Sequence, residues 1–216
     1  MRRGVARPGS GKAAGLRRRP RTTLPLRRGF YDRPTLAVAR DLIGARLVHI
    51  FRGRRLAGII TETEAYIGER DLGCHARVGR TPRTEVMYGT PGHAYVYFTY
   101  GNHWMLNVVT EHKGFPAAVL IRAVQPVDGM ASIARRRHGR DTHGPGKLTQ
   151  GFAITGDDNG RDLTDTGSTL WIEGGWIAPS RLVVRGPRVG LNTVPEPWKS
   201  KRWRFRVDGW KLEVAD

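Results

Sequence analysis

Gly58-Ile59-Ile60-Thr61-Glu62-Thr63-Glu64-Ala65-Tyr66 decides how the chain is read, because two β-branched apolar residues lead into two carboxylates separated by one threonine. On a strand, alternate side chains share a face, so Ile60, Glu62, Glu64 and Tyr66 are expected to project together while Ile59, Thr61, Thr63 and Ala65 face the other way. Neighbouring carboxylates on a half-buried face drive each other's pKa apart, which is one way to obtain a general base near neutral pH. Most strand acids are simply solvated. The pair therefore takes its meaning from its surroundings, and spacing alone leaves both Glu62 and Glu64 open as the base.

Those surroundings are strongly basic. In 216 residues the chain carries a formal charge of +18, an excess that calls for a polyanionic partner, either nucleic acid or an anionic membrane surface. Ten Lys or Arg residues and no acid fall between Met1 and Arg28, among Gly, Pro and Ala, which leaves +8 on the remainder. That segment cannot bury enough apolar surface to offset its ordering entropy, so residues 1–28 are expected to form a disordered basic arm ahead of one domain over 29–216. An organelle-import peptide is the competing reading of the arm. The single Cys74 excludes an internal disulfide and a thiolate metal cluster, and no apolar run is long enough to cross a bilayer.

Outward from the carboxylate strand, Thr35 to Gly44 places Leu36, Ala39, Leu42 and Ile43 at helical spacing behind Pro34. Leu47 to Phe51 reads as a strand turning at Arg52-Gly53-Arg54 into its hairpin partner. Periodicity vanishes from Ile67 to Pro91. A loop of that length inside a domain is usually functional, and this one holds His75, Arg77, Arg80 and Arg83. Two β-prone runs then flank Gly101-Asn102, a hairpin with Tyr95 and Tyr97 on one face and Tyr100 and His103 at the tip, where little core is within reach and an unstacked base is a natural partner.

Ala117 to Val124 reads as a buried strand interrupted by Arg122, whose guanidinium needs a carboxylate partner from the Glu62–Glu64 strand. His143-Gly144-Pro145-Gly146-Lys147 enters a helix as a phosphate loop would, but Asp141 occupies the place of that motif's first glycine, so the stretch suits a DNA phosphate rather than nucleotide hydrolysis. Thr169–Trp176 and Arg181–Arg185 read as strands. Lys199 to Val207 alternates basic with apolar residues, as an edge strand with one cationic face would.

Taken together, Glu62-Thr63-Glu64-Ala65-Tyr66, His75, Arg80-Thr81-Pro82-Arg83, Tyr95-Val96-Tyr97, Tyr100-Gly101, Asn107, Leu120-Ile121-Arg122-Ala123 and Gly144-Pro145-Gly146-Lys147-Leu148 resemble the alkyladenine (3-methyladenine) DNA glycosylase family, the type unrelated to helix-hairpin-helix glycosylases. The resemblance runs from about Phe30 to Val207. It implies a mixed α/β (α+β) single domain around a curved antiparallel β-sheet, with a protruding β-hairpin and peripheral helices. It also implies a monofunctional, monomeric base-excision-repair enzyme that flips alkylated or deaminated purines out of double-stranded DNA and hydrolyses the N-glycosidic bond.

By the same resemblance, Glu64 is the general base, and Arg122 and the backbone carbonyl of Val189 help hold the water. Tyr66, His75, Tyr97 and Asn107 surround the flipped base, Asn107 disfavouring guanine, and Tyr100 fills the gap left in the duplex. Arg80, Arg83, His103 and Lys147 are assigned to the DNA backbone. No metal or organic cofactor and no membrane is expected; the location would be the cytoplasm or nucleoid of a bacterium, or a nucleus or organelle. A non-catalytic basic nucleic-acid-binding protein, its glutamates merely paired with arginines, is the alternative.

Deleting residues 1–28 is expected to weaken non-specific DNA binding and flatten its salt dependence by about 0.9 in log–log slope for each phosphate that the arm no longer neutralises. Single-turnover excision at saturating enzyme should hardly change, and an equal fall in that rate would show the arm to be part of the site.

Overall fold

The computed structural model describes residues 23–99, 101–176 and 178–207. Helices α1 (Arg28–Tyr31) and α2 (Thr35–Asp41) lead into strands β1 (Arg46–Phe51) and β2 (Arg54–Ile67). The hairpin of β3 (Ala94–Thr99) and β4 (His103–Val109) is followed by β5 (Ala117–Asp128), then by α3 (Met130–Arg137) and α4 (Pro145–Phe152). Strands β6 (Leu170–Glu173), β7 (Val183–Gly186) and β8 (Arg204–Val207) come last. All eight join one curved antiparallel sheet in the order β3-β4-β5-β2-β1-β6, with β8 set between β2 and β7.

β2 is the axis of this sheet. One of its edges pairs with β5 along nearly its whole length, while the other is shared, with β1 over Arg54–Ile59 and β8 over Glu62–Glu64. Where the neighbour changes, the register slips: Thr61 on β2 and Arg122 on β5 have no opposite number. An unpaired residue turns the strand over, so the side-chain alternation reverses across the bulge. Leu56 and Ile60 face the main core on one side of it, and Ala65 on the other. The expectation that Ile60 shares a face with the two acids is thereby corrected: Thr63, whose hydroxyl donates to the Ala39 carbonyl at 2.7 Å, turns toward α2, and Glu64 turns away.

Two apolar layers result. In the larger, α2 and α4 bring Val38, Ala39, Leu148 and Phe152 against Leu47, Ile60, Leu106, Val108, Val119 and Ile121. Full burial of each Leu, Ile or Phe contributes about 1.5–3 kcal/mol. On the opposite face of β3–β5, Tyr95, Val109 and Ala118 meet Cys74, Ala76 and Met87 from the 67–91 segment. That segment folds over the sheet through two short 3-10 helices, His75–Val78 and Glu85–Tyr88, rather than as plain loop.

Other expectations shift as well. β8 has β2 on one side and β7 on the other, so it is no edge strand; a three-residue 3-10 helix, Ser180–Leu182, stands where the second late strand was expected to begin. The β6 strand is shorter than Thr169–Trp176. The basic run at Arg135 is the end of α3, a helix that buries only Ile133 and Arg137 and so leaves little apolar period to read. At the other terminus, the Leu26 N–H donates to the Ile172 carbonyl at 2.7 Å and Arg28 pairs with Asp162 at 2.6 Å. Residues 23–28 are thus docked, and a deletion that tests the basic arm apart from this packing ends at Thr22.

Gly58 leaves no room for a side chain between β5 and α4, because a Cβ there would lie 2.4 Å from Val124 Cγ1 and 2.9 Å from the Phe152 ring. Gly58→Ala is expected to destabilise the protein by about 1–3 kcal/mol, read as a fall in the midpoint of denaturant unfolding.

Candidate active site

The layer under the 67–91 segment is incomplete, and the gap is a cavity of about 460 Å³. Sites for small molecules or single bases run from about 300 to 1,000 Å³. Tyr66, Tyr97, Asn107 and Arg122 line it from consecutive strands, His75 and Met87 from the covering segment, His103 from the start of β4, Gly144–Lys147 from the start of α4, and Val189–Leu191 from the turn before β8. Strand alternation explains the selection: Tyr95, Tyr97, Met105, Asn107, Leu120 and Arg122 all lie opposite the residues that fill the main core.

Glu64 stands one layer behind this wall, its side chain without exposure. Three donors converge on it. Val189 N–H donates to Oε1 at 2.7 Å, Tyr66 O–H to Oε2 at 2.8 Å and Arg122 Nη1 to Oε2 at 3.3 Å. Burial pushes the Glu64 carboxyl above the usual range, while Arg122, the Val189 N–H and the Tyr66 hydroxyl pull it back. Oε2 already accepts twice, whereas Oε1 accepts once and keeps a lone pair for a further donor.

Glu62 is held differently. Its Oε1 accepts from Arg122 Nε at 3.1 Å and from Arg204 Nη1 at 3.2 Å, so two carboxylates and two guanidiniums form one compensated cluster. The carboxylate partner expected for Arg122 is there, and it is double.

His75 lies edge-on to Tyr97, ring centres 4.5 Å apart, and its Nδ1 is 3.0 Å from the Tyr95 hydroxyl. Burial, then the charges of Arg83 and Arg77, lower its pKa to about 4, so the imidazole is neutral at physiological pH. The Arg83 charge acts on the Tyr95 hydroxyl as well, pulling its pKa down against the effect of burial. With Tyr95 donating its hydroxyl proton to Nδ1, the neutral ring carries its own proton on Nε2. Burial likewise raises the Tyr95 hydroxyl to about 12, keeping it a donor.

Of the residues assigned to the DNA backbone, His103 lines the cavity with its ring so close to Gly146 that a Cβ there would sit 2.5 Å from it. Lys147, also in the lining, pairs with Asp141 at 3.3 Å. Arg83 stands 5.0 Å over the Tyr97 ring, whereas Arg80 is turned to Glu85 in a two-pronged ion pair at 2.7 and 2.8 Å and does not line the cavity. Tyr100 lies outside the described residues. Val189 meets Glu64 through its N–H.

Missed from the sequence were Asp71 and Arg188, a fully buried pair joined at 2.5 and 2.7 Å just before Val189. An arginine next to a proposed site residue was the signal that could have found them. Among the described residues no group of three or more His, Cys, Asp or Glu side chains is gathered as for a metal ion, and no helix is long and apolar enough to cross a membrane.

An aromatic cavity sized for one base, a buried carboxylate behind it and a strongly basic chain are the parts of an enzyme that works on bases in nucleic acid. Comparison with known proteins narrows the class. The chain belongs to the methylpurine-DNA glycosylase family, whose sequence profile matches residues 29–211. It is 48% identical over 185 residues to a protein of Methanocella arvoryzae, covering 83% of this chain and 90% of that one. It is 49% identical over 178 residues to one of Myxococcus xanthus, covering 82% and 87%, and 46% identical over 187 residues to one of Anaeromyxobacter dehalogenans strain 2CP-C, covering 86% and 84%. All three are provisionally named 3-methyladenine DNA glycosylase. The protein is therefore a DNA glycosylase of base-excision repair, and the non-catalytic reading falls.

Because the His75 pKa lies below its ordinary 6.5, the stability linked to this group is complete above pH 6.5 and declines as pH falls toward 4. The imidazole NMR signals of His75 are expected to remain those of the neutral ring at pH 6.5, with the proton on Nε2; a titration midpoint at 6.5 would contradict the site's geometry.

Proposed function

We propose that this glycosylase acts as a monomer on double-stranded DNA, extrudes a single alkylated or deaminated purine nucleotide into the cavity, and hydrolyses its N-glycosidic bond with a water activated by Glu64. Extrusion costs a few kcal/mol, least for a base already damaged or mispaired. Stacking against Tyr66 and Tyr97 offsets that cost, more so for a cationic alkylpurine such as the 3-methyladenine of the relatives' name. His75 offers its Nε2 proton to an acceptor on the base edge. Asn107, held by its own bond from Nδ2 to the Tyr95 carbonyl at 3.1 Å, crowds a purine bearing an exocyclic amine.

The water approaches the free lone pair of Glu64 Oε1, with the Val189 carbonyl as a second acceptor and Arg122 beside it. Its oxygen bonds to the sugar's anomeric carbon while its proton passes to Glu64, and the pair of electrons of the broken C–N bond leaves on the base. A cationic alkylpurine departs neutral and needs no acid. The reaction so written requires no metal and no organic cofactor. Tyr100 is assigned to the space vacated in the duplex, and Arg83, His103, Lys147 and, farther out, Arg80 to the backbone around it. A chromosomal setting, the nucleoid in a bacterium, follows from the substrate.

The buried Glu64, with three donors around it and one lone pair spare, is the observation that carries this reading. Glu64→Gln is expected to slow single-turnover excision of hypoxanthine or ethenoadenine by about 100- to 10,000-fold while leaving affinity for lesion DNA nearly intact. Excision near the wild-type rate would remove Glu64 from the role.

A further inference from the structure

We propose that the buried Asp71–Arg188 ion pair is the positioning device of the active site, holding the Val189 N–H and the Tyr66 hydroxyl on Glu64 while touching no substrate itself. The inference rests on the role given above to Glu64.

Both side chains have no exposure, and the pair joins segments 117 residues apart in sequence. Each end is tied to further backbone. Asp71 accepts the N–H of Ile67 at 3.2 Å and of Gly73 at 3.0 Å, which fixes the turn that leaves β2. Arg188 donates to the Ala65 carbonyl at 3.1 Å and the Trp198 carbonyl at 3.4 Å, which fixes it between the strand of Glu64 and the 198–203 segment.

The plane of the guanidinium is fixed as well. It lies between two rings, 4.7 Å from the centre of Tyr66 and 5.0 Å from that of Trp203. Trp203 is in turn clasped by Lys201, whose Nζ is 4.6 Å from it and 4.5 Å from Trp198. Arg188 therefore sets the tilt of the ring whose hydroxyl donates to Oε2, and its own main chain runs directly into the residue whose N–H donates to Oε1. Two of the three donors to Glu64 depend on one side chain.

Stability alone is a poor explanation for such a pair. A buried ion pair often gives no more than well-packed apolar residues of the same volume, and its best-attested use is to fix a register. Here one Arg188 nitrogen, Nε, is left without a partner, so the arrangement is imperfect as a stabiliser while its other nitrogens serve the walls of the site. Lysine, a point charge without the planar fork, cannot hold two oxygens and two rings in the same way.

The test uses the full chain in two variants. Arg188→Lys keeps the charge; the double variant D71N/R188M removes both charges, with methionine filling the slot between the rings. Affinity for duplex carrying a tetrahydrofuran abasic analogue reports folded protein. In each variant, single-turnover excision of hypoxanthine is expected to fall on the order of 100-fold, as displacement of a catalytic group by about an ångström does, with that affinity unchanged. The acid limb of the rate–pH profile should move to higher pH, because Glu64 loses donors that pull its carboxyl down. Unfolding of both variants, or folded protein that excises at the wild-type rate with an unmoved acid limb, would assign the pair to stability and overturn the proposal. Loss of excision in Glu64→Gln alongside unaffected pair variants would remove this inference alone; activity retained in Glu64→Gln would remove the reading beneath it.

Discussion

A carboxylate shut away from water is the constraint around which this molecule is built. Taking an ion such as Glu64 out of solvent costs several kcal/mol even after relaxation, unless donors arrive with good geometry. Here they come from three places: its own strand two residues on, the neighbouring β5, and a segment 125 residues later. No local folding event can gather them. The sheet must be complete, β8 must dock beside β2, and the 188–191 turn must close before the charge is tolerated. Burial pushes its carboxyl above the usual range while the donors pull it back, a balance that suits the general base proposed above.

Division of labour between the two faces of the sheet follows from this. One face carries the aliphatic core and the helices, and supplies the rigidity against which positions can be held. The other is closed by irregular chain, in which burial alone fixes little, so ion pairs and aromatic contacts hold it. Because the paired bulges at Thr61 and Arg122 turn both strands over at once, a single sheet presents Ile60 to the core and Glu64 to the site only three pairs farther along.

Period-two alternation is legible in the sequence wherever the ladder is regular. β1 with the first half of β2, the β3–β4 hairpin and the residues that wall the cavity can all be read from it, as can the need of Arg122 for acids. What stays hidden has physical causes. A bulge leaves no mark in a run of Thr and Glu, so the facing of Ile60 is misread. A strand's neighbours are non-local, which is why β8 reads as an edge. Glu62 and Glu64 differ in depth and in donors, to which spacing is blind. Asp71 and Arg188 each look like one more surface charge, since only the folded chain removes both from water.

The resting charge of the cavity follows from the same economy of donors. Arg83 and Arg77 stand near His75, and with burial they keep a proton off it. The Tyr95 hydroxyl lies against Nδ1, and when it donates there the proton His75 carries is on Nε2. The imidazole is thus neutral and adds no positive charge to a cavity whose aromatic walls suit the cationic alkylpurine proposed as substrate. A protonated imidazole there would repel a cationic alkylpurine and would spend a second proton on Tyr95, which already holds its own. Arg83 and Arg77 therefore act inward on the cavity through their charge, which together with burial holds the imidazole in its neutral form.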